Sequence, residues 1–275
     1  MKQNKIEHSG HTGLIVGTTI VLVIAFAIGL SLGYDKLKDL YEEQCVIEDP
    51  SLQVTISSGK MVKADVLAEE FGLRKGANLA TIDFNAKREQ ILRKIPNLKS
   101  ISIRRQLPDK VKIVTEERSP VARMNVRGNR HETGRVVDTE GVVFIWQRGT
   151  QMLPIIREQQ APGTAPGHRI EGRTLAALRL IESSLEPTRS ELGILEVDVS
   201  KPDFLLATLG NYSRAKIAWE GMADPTPSSQ IFLHQQLDLL VMAIRSHVGD
   251  NTVIWNATDT TSKKGRIYAD SKGNL

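Results

Sequence analysis

Residues 14–33, LIVGTTIVLVIAFAIGLSLG, carry no charged side chain over 20 positions. At about 1.5 Å rise per residue, a helix of that length spans about 30 Å, the thickness of a bilayer's hydrocarbon core. Thr18, Thr19 and Ser31 fit such a helix because their hydroxyls can bond back to its own carbonyls. Lys2 and Lys5 precede the run, and Lys36 and Lys38 follow it among Asp35, Asp39, Glu42 and Glu43. The basic residues flanking the two ends are therefore nearly balanced. Orientation is read from length instead: a short head, 1–13, inside, and everything after residue 33 exported. The rival is a cleaved signal peptide, because Ala25-Phe26-Ala27 has the small-x-small pattern behind an apolar stretch, 14–24. The run continues through Ile28, Leu30 and Leu32, which favours a retained anchor.

The 275 residues carry a net charge of only +4, with Lys and Arg interleaved among Asp and Glu, so no nucleic-acid stripe is indicated. The single cysteine, Cys45, excludes an intramolecular disulfide and a cysteine-rich metal site. Residues 34–50 are polar and helix-compatible and read as a stalk. Beyond Pro50, periodicity predicts strand 52–57 and helix 64–71, with Val66, Leu67 and Phe71 on one face. It then predicts helix 85–94 capped by Asp83 or Asn85, and strand 98–105. A turn at Pro108 leads to a partner strand through Val111, Ile113 and Thr115. Strand, helix, helix, strand, strand is an α+β module.

Downstream, RVVDTEGVVFI reads as a hairpin about Glu140-Gly141. LPII reads as a strand, 159–168 as a Pro/Gly-rich loop, and 171–185 as a helix. Three strands follow, in LGILEVDVS, FLLATL and AKIAW. A helix over 230–247, capped by Ser228 or Ser229, precedes final strands at 252–257 and 266–269.

Chemistry-bearing motifs are missing. There is no nucleophile elbow, zinc-peptidase helix, phosphate loop or metal-spaced cluster, so no catalytic residue, metal or cofactor is expected. Asp138 and Glu140 flank a turn, and paired carboxylates there read as turn chemistry. His234 and Asp238 are spaced to pair on one helix face. Trp146, Trp219 and Trp255 read as core or interface anchors.

The strand VTISSG, the loop GANLATID and the run REQILRKIPNLKSISIRRQLPDKVKIVTEERSPVA resemble the POTRA domain of the FtsQ/DivIB family of bacterial cell-division proteins. VVDTEGVVF and LPII resemble the strands that follow it. The hairpin turn here is Leu107-Pro108, where the family has an aromatic residue before the proline.

The resemblance implies a POTRA domain over 51–122 and a mixed β domain with two packed helices over 123–275. It implies a non-catalytic, single-pass scaffold of the inner membrane at the division septum. FtsB- and FtsL-like coiled-coil partners would be captured by strand addition at the C-terminal strands, with further divisome contacts through the POTRA and membrane segments. Carried onto this sequence, the contact residues are Val253, Ile254, Trp255, Asn256 and Ala257, with Tyr268 nearby and Lys201 in the place of a basic interface residue. Alternation lets either Val253/Trp255 or Ile254/Asn256 face inward, leaving the other set for contact. The alternative reading is a POTRA-containing adaptor in protein secretion or outer-membrane assembly.

Overall fold

The computed structural model describes residues 24, 26–31, 33, 34, 36–38, 40–106, 108–126, 134–147, 149, 152–158, 165–219, 221–223, 226–246, 254–259 and 266–270. The head 1–13, most of the apolar run 14–33, the loop 159–164 and Val253 lie outside them. Among the described residues no helix is long and apolar enough to cross a membrane. The chain divides into two compact units, Met1–Glu89 with Ile101–Thr115, and Gln90–Ser100 with Glu116–Leu275.

The first unit contains α1 (Pro50–Gln53), β1 (Val54–Ser57) and α2 (Ala64–Phe71), and α3 (Phe84–Lys94) begins in it. β2 (Leu98–Gln106) and β3 (Lys110–Glu117) complete a three-stranded sheet in the order β1-β3-β2, with β1 parallel to β3. The central strand is the one that follows the Pro108 turn. Leu67 and Phe71, four residues apart on α2, are fully buried, and Phe71 meets Phe84 at a 6.0 Å ring separation. Val66, expected beside them, is 41% exposed: at 100° per residue it turns off the Leu67/Phe71 stripe. Asp83 caps α3, its Oδ1 accepting from the backbone N–H of Asn85 and Ala86.

Gly72 ends α2 in the left-handed region at φ +74, and the Leu73 N–H reaches back to the Ala68 carbonyl at 2.8 Å. This is a closure that favours glycine. The end of the expected stalk is instead built into this unit. Cys45 and Ile47 are buried, and Ile47 exchanges backbone hydrogen bonds with Gly76 and Ala77.

The second unit is built on a nine-stranded sheet ordered β12-β11-β10-β9-β8-β7-β4-β5-β6. Its strands are β4 (Ala122–Val126), β5 (Arg135–Val137), β6 (Val143–Ile145), β7 (Ile155–Glu158), β8 (Glu196–Asp198), β9 (Leu205–Thr208), β10 (Arg214–Ile217), β11 (Ile254–Asp259) and β12 (Arg266–Asp270). β4 was not expected from the sequence; it pairs in parallel with β7 and antiparallel with β5.

Helix α4 (Gly172–Ser184) connects β7 to β8, and helix α5 (Pro227–Ser246) connects β10 to β11. Both connected pairs are parallel, as a crossover helix permits. Ala176, Leu180 and Ile181 of α4 and Leu233, Leu237 and Leu240 of α5 share one core with Val197, Ala207, Ala215 and Ile217 of the strands. α5 begins three residues earlier than expected. Thr226, rather than Ser228 or Ser229, supplies the cap: its Oγ1 accepts from the Ser229 N–H at 3.3 Å, and Pro227 takes the first helical position, where its missing donor costs nothing.

Candidate functional site: an open sheet edge

The two ends of the large sheet differ. The outer side of β6 is covered by backbone: Val143 N–H donates to the His168 carbonyl at 2.9 Å, and Gly167 N–H donates to the Val143 carbonyl at 2.7 Å. At the other end, β12 pairs with β11 on one side, and no strand among the described residues pairs its other side. A strand in that position presents a row of backbone donors and acceptors to any extended segment that can align with it.

β11 is an interior strand. It pairs in parallel with β10 (Arg214↔Ile254 to Ile217↔Ala257) and antiparallel with β12 (Ile254↔Asp270, Trp255↔Ala269, Asn256↔Tyr268). Both of its ladder sides are therefore occupied. Its side chains alternate between the two faces, but burial does not follow the alternation. Trp255 and Ala257 are buried at 3% exposure in the core beneath the helices, while Ile254, on the opposite face, is itself only 5% exposed. Both faces of β11 are therefore buried at these positions.

Asn256 is half-buried and has a local task. The register slips by one residue between Asn256 and Asp259, and the Asn256 Oδ1 accepts from the Thr258 N–H at 3.1 Å and from the Thr258 hydroxyl at 2.8 Å. This hydrogen-bonded turn shapes the bulge.

Tyr268 lies on the edge strand itself, at the register position opposite Asn256. Lys201 stands elsewhere. It lies in the connection from β8 to β9, half-buried, with its carbonyl accepting from Arg173 Nη1 at 2.5 Å. β10 and β11 lie between β9 and the edge strand, and the three strand spacings from β9 to β12 amount to about 14 Å. So the structure brings together Ile254–Ala257 and Tyr268 and leaves Lys201 apart. The missed signal was the length of α5: a 20-residue helix between two strands is a crossover, which makes the second strand parallel and leaves the last one at the edge.

The other titratable candidates are structural. Asp138 is 3% exposed; its Oδ1 accepts from the backbone N–H of Val142 and Glu140, and its Oδ2 from Arg118 Nη1 at 2.5 Å. Burial works against the charge on Arg118, but hydrogen bonds from it to Asp138 and Glu140 more than offset this and hold its pKa above the ordinary arginine value. The same Arg118 hydrogen bond is the main reason the Glu140 carboxyl sits below the usual carboxylate range, with Lys99 adding to it. The expected His234–Asp238 pair does not form. Asp238 accepts from Arg189 Nε at 2.7 Å, and His234 Nε2 stands 3.7 Å from Glu186. Among the described residues no group of three potential ligands could hold a metal ion.

Residues 50–118, the strand-helix-helix-strand-strand segment, match the POTRA domain of FtsQ type. The chain is 32% identical over 133 residues to the cell division protein FtsQ of Escherichia coli strain K12, covering 46% of each. It is 26% identical over 104 residues to the cell division protein DivIB of Clostridium acetobutylicum, covering 38% of this chain and 40% of that protein. Over these segments the chain is similar to the FtsQ/DivIB proteins of bacterial cell division. The chain spans less than half the length of either relative it matches.

Proposed function

We propose that this protein is a non-catalytic scaffold of the bacterial divisome, anchored in the cytoplasmic membrane by residues 14–33 and acting outside it at the division septum. Its partners would be FtsB- and FtsL-like coiled-coil proteins, captured by strand addition. The relatives' names, both cell division proteins, support the process. The open side of β12 is the single observation that carries the mechanism. An added strand bonds to the β12 backbone, so affinity comes from main-chain hydrogen bonds and selection from neighbouring side chains. Within the segment first expected to make the contact, the reading moves the weight from β11 to β12: an added strand would pair with the backbone of 266–270, while Ile254, Trp255 and Ala257 hold β11 in place behind it.

A pair of proline substitutions tests this. Successive N–H groups of an edge strand alternate between the sheet and the outside. Of Tyr268→Pro and Ala269→Pro, one removes a donor to β11 and the other a donor to the partner. The outward one should abolish co-purification of the coiled-coil partners from membranes while leaving thermal unfolding unchanged. Undiminished capture by both variants would refute strand addition at β12. Capture of a secretion or outer-membrane component in place of division proteins would refute the divisome reading while keeping the mechanism.

A further inference from the structure

The chain between the apolar run and the first unit has a feature that the scaffold reading does not use. Tyr34, Leu37, Leu40 and Tyr41 lie in a helical stretch and are 69%, 69%, 57% and 42% exposed. Their spacing of three, three and one puts them on one helix face. Asp35, Lys36, Lys38, Asp39, Glu42 and Glu43 fill the remaining positions. An apolar, aromatic-bearing stripe on a charged helix directly after an apolar run has the pattern of a helix lying at a membrane surface. Gly33, at the junction, has nothing within 4 Å of where a side chain would start, and glycine weakens a helix at the point where it would have to bend.

The far end of this stretch is fastened to a cationic loop of the first unit. Asn78 Nδ2 donates to the Glu42 carbonyl at 3.0 Å, Leu79 N–H to the Cys45 carbonyl at 2.9 Å, and Gly76 N–H to the Ile47 carbonyl at 2.8 Å. Arg74 and Lys75, both exposed, belong to this loop, which borders a groove of about 1000 Å³ with Lys87 on its wall. Asp65 and Glu69 line the same groove from α2, and Asp65 stands about 10 Å along the helix from the loop by the 1.5 Å rise. Glu69 stands only about 4.5 Å along the helix from the loop, so Arg74 and Lys75 are exposed cations with an acidic neighbour on α2. If the 34–44 helix stood upright, the loop would ride about 17 Å above the hydrocarbon; lying on its apolar stripe, it brings the loop to the headgroups.

We propose that the 34–41 stripe and the 72–78 loop together form a site for an anionic membrane lipid, with the stripe in the headgroup–acyl boundary and Arg74 and Lys75 on the lipid phosphate. The proposal rests on the reading that residues 14–33 span the bilayer. It implies that the first unit is held down on the membrane rather than free to swing from it.

The test uses the full chain in phosphatidylcholine nanodiscs, titrated with short-chain phosphatidylglycerol, and follows amide exchange of residues 72–79. Saturable protection is expected. A cation near an anionic surface is worth about fivefold in binding, so Arg74→Gln with Lys75→Gln should weaken the protection about 25-fold. Both side chains are exposed, and unchanged exchange of the buried strand β3 checks that folding is intact. Leu37→Ser with Leu40→Ser should weaken protection as well. No protection by phosphatidylglycerol overturns the proposal. Equal protection by inorganic phosphate at the same concentration overturns the lipid assignment in favour of a free-anion site. Failure of the chain to assemble into nanodiscs, seen by size exclusion, overturns the spanning reading and this proposal with it.

Discussion

Trp255→Ala separates a buried structural role from a contact role for the segment first expected to bind a partner. The indole is 3% exposed and packs in the core that α4, α5 and the central strands share. A buried tryptophan removes about 150–250 Å² from water. At about 25 cal/mol per Å² that is about 4–6 kcal/mol, an upper estimate because the unfolded chain already hides part of this area. Truncations of buried Phe and Trp cost about 3–5 kcal/mol, so about 4 kcal/mol is the expected loss. A domain's whole stability is about 5–15 kcal/mol, and the second unit would become marginal. Hydrogen exchange of the full chain gives the local readout: amides of β10 and β11 should open more easily by roughly that amount, while those of β1 and β3 stay unchanged. Partner capture would fall too, as a consequence of unfolding. Opening free energies in β10 and β11 that shift by less than about 1 kcal/mol, with capture lost, would refute the core assignment and return Trp255 to the interface.

Arg118→Ala leaves the Asp138 carboxylate, 4% exposed, without its cation, so a loss of about 3–5 kcal/mol is expected in urea unfolding. Glu140 has its pKa lowered mainly by the Arg118 hydrogen bond, and a carboxylate of this kind stabilises the fold above its unfolded pKa and loses that effect as pH falls through its folded value. The stability difference between the native chain and Glu140→Gln should therefore shrink between about pH 5 and about pH 3; with the side chain 39% exposed it should not exceed about 1 kcal/mol. Gly72→Ala should cost about 1–2 kcal/mol from backbone strain alone, because φ is +74 and the nearest atom to an added Cβ is the flexible end of Lys87 at 3.8 Å. Gly72→Asn should cost less, since asparagine tolerates that conformation better.

Local features were legible in the sequence, and the reason is that each is decided within a few residues. Leu67 and Phe71 are four apart and lie on one side of a helix wherever it packs. Asp83 caps α3 because its carboxylate reaches the N–H groups two and three residues ahead. Glu140-Gly141 turns a hairpin because Gly141 adopts φ +79 and Asp138 bonds forward across the turn. The resemblance to FtsQ-type POTRA domains rests on equally local runs, VTISSG, GANLATID and residues 88–122.

What the sequence left open depends on segments far apart in the chain. β4 hides in ARMNV, whose pairing with β7 involves residues about thirty positions away. Cys45 and Ile47 look like a stalk until the loop at 76–79 bonds to them. Alternation along β11 left open which set faces the core and could not give burial, because an interior strand of a sheet can be packed on both faces. Strand order decided the candidate site: α5 carries the chain over the sheet, β11 inserts beside β10, and β12 is left at the edge with one side of its backbone open. Propensity and periodicity determine which residues form strands; which strand ends without a neighbour is settled only when the whole sheet is assembled.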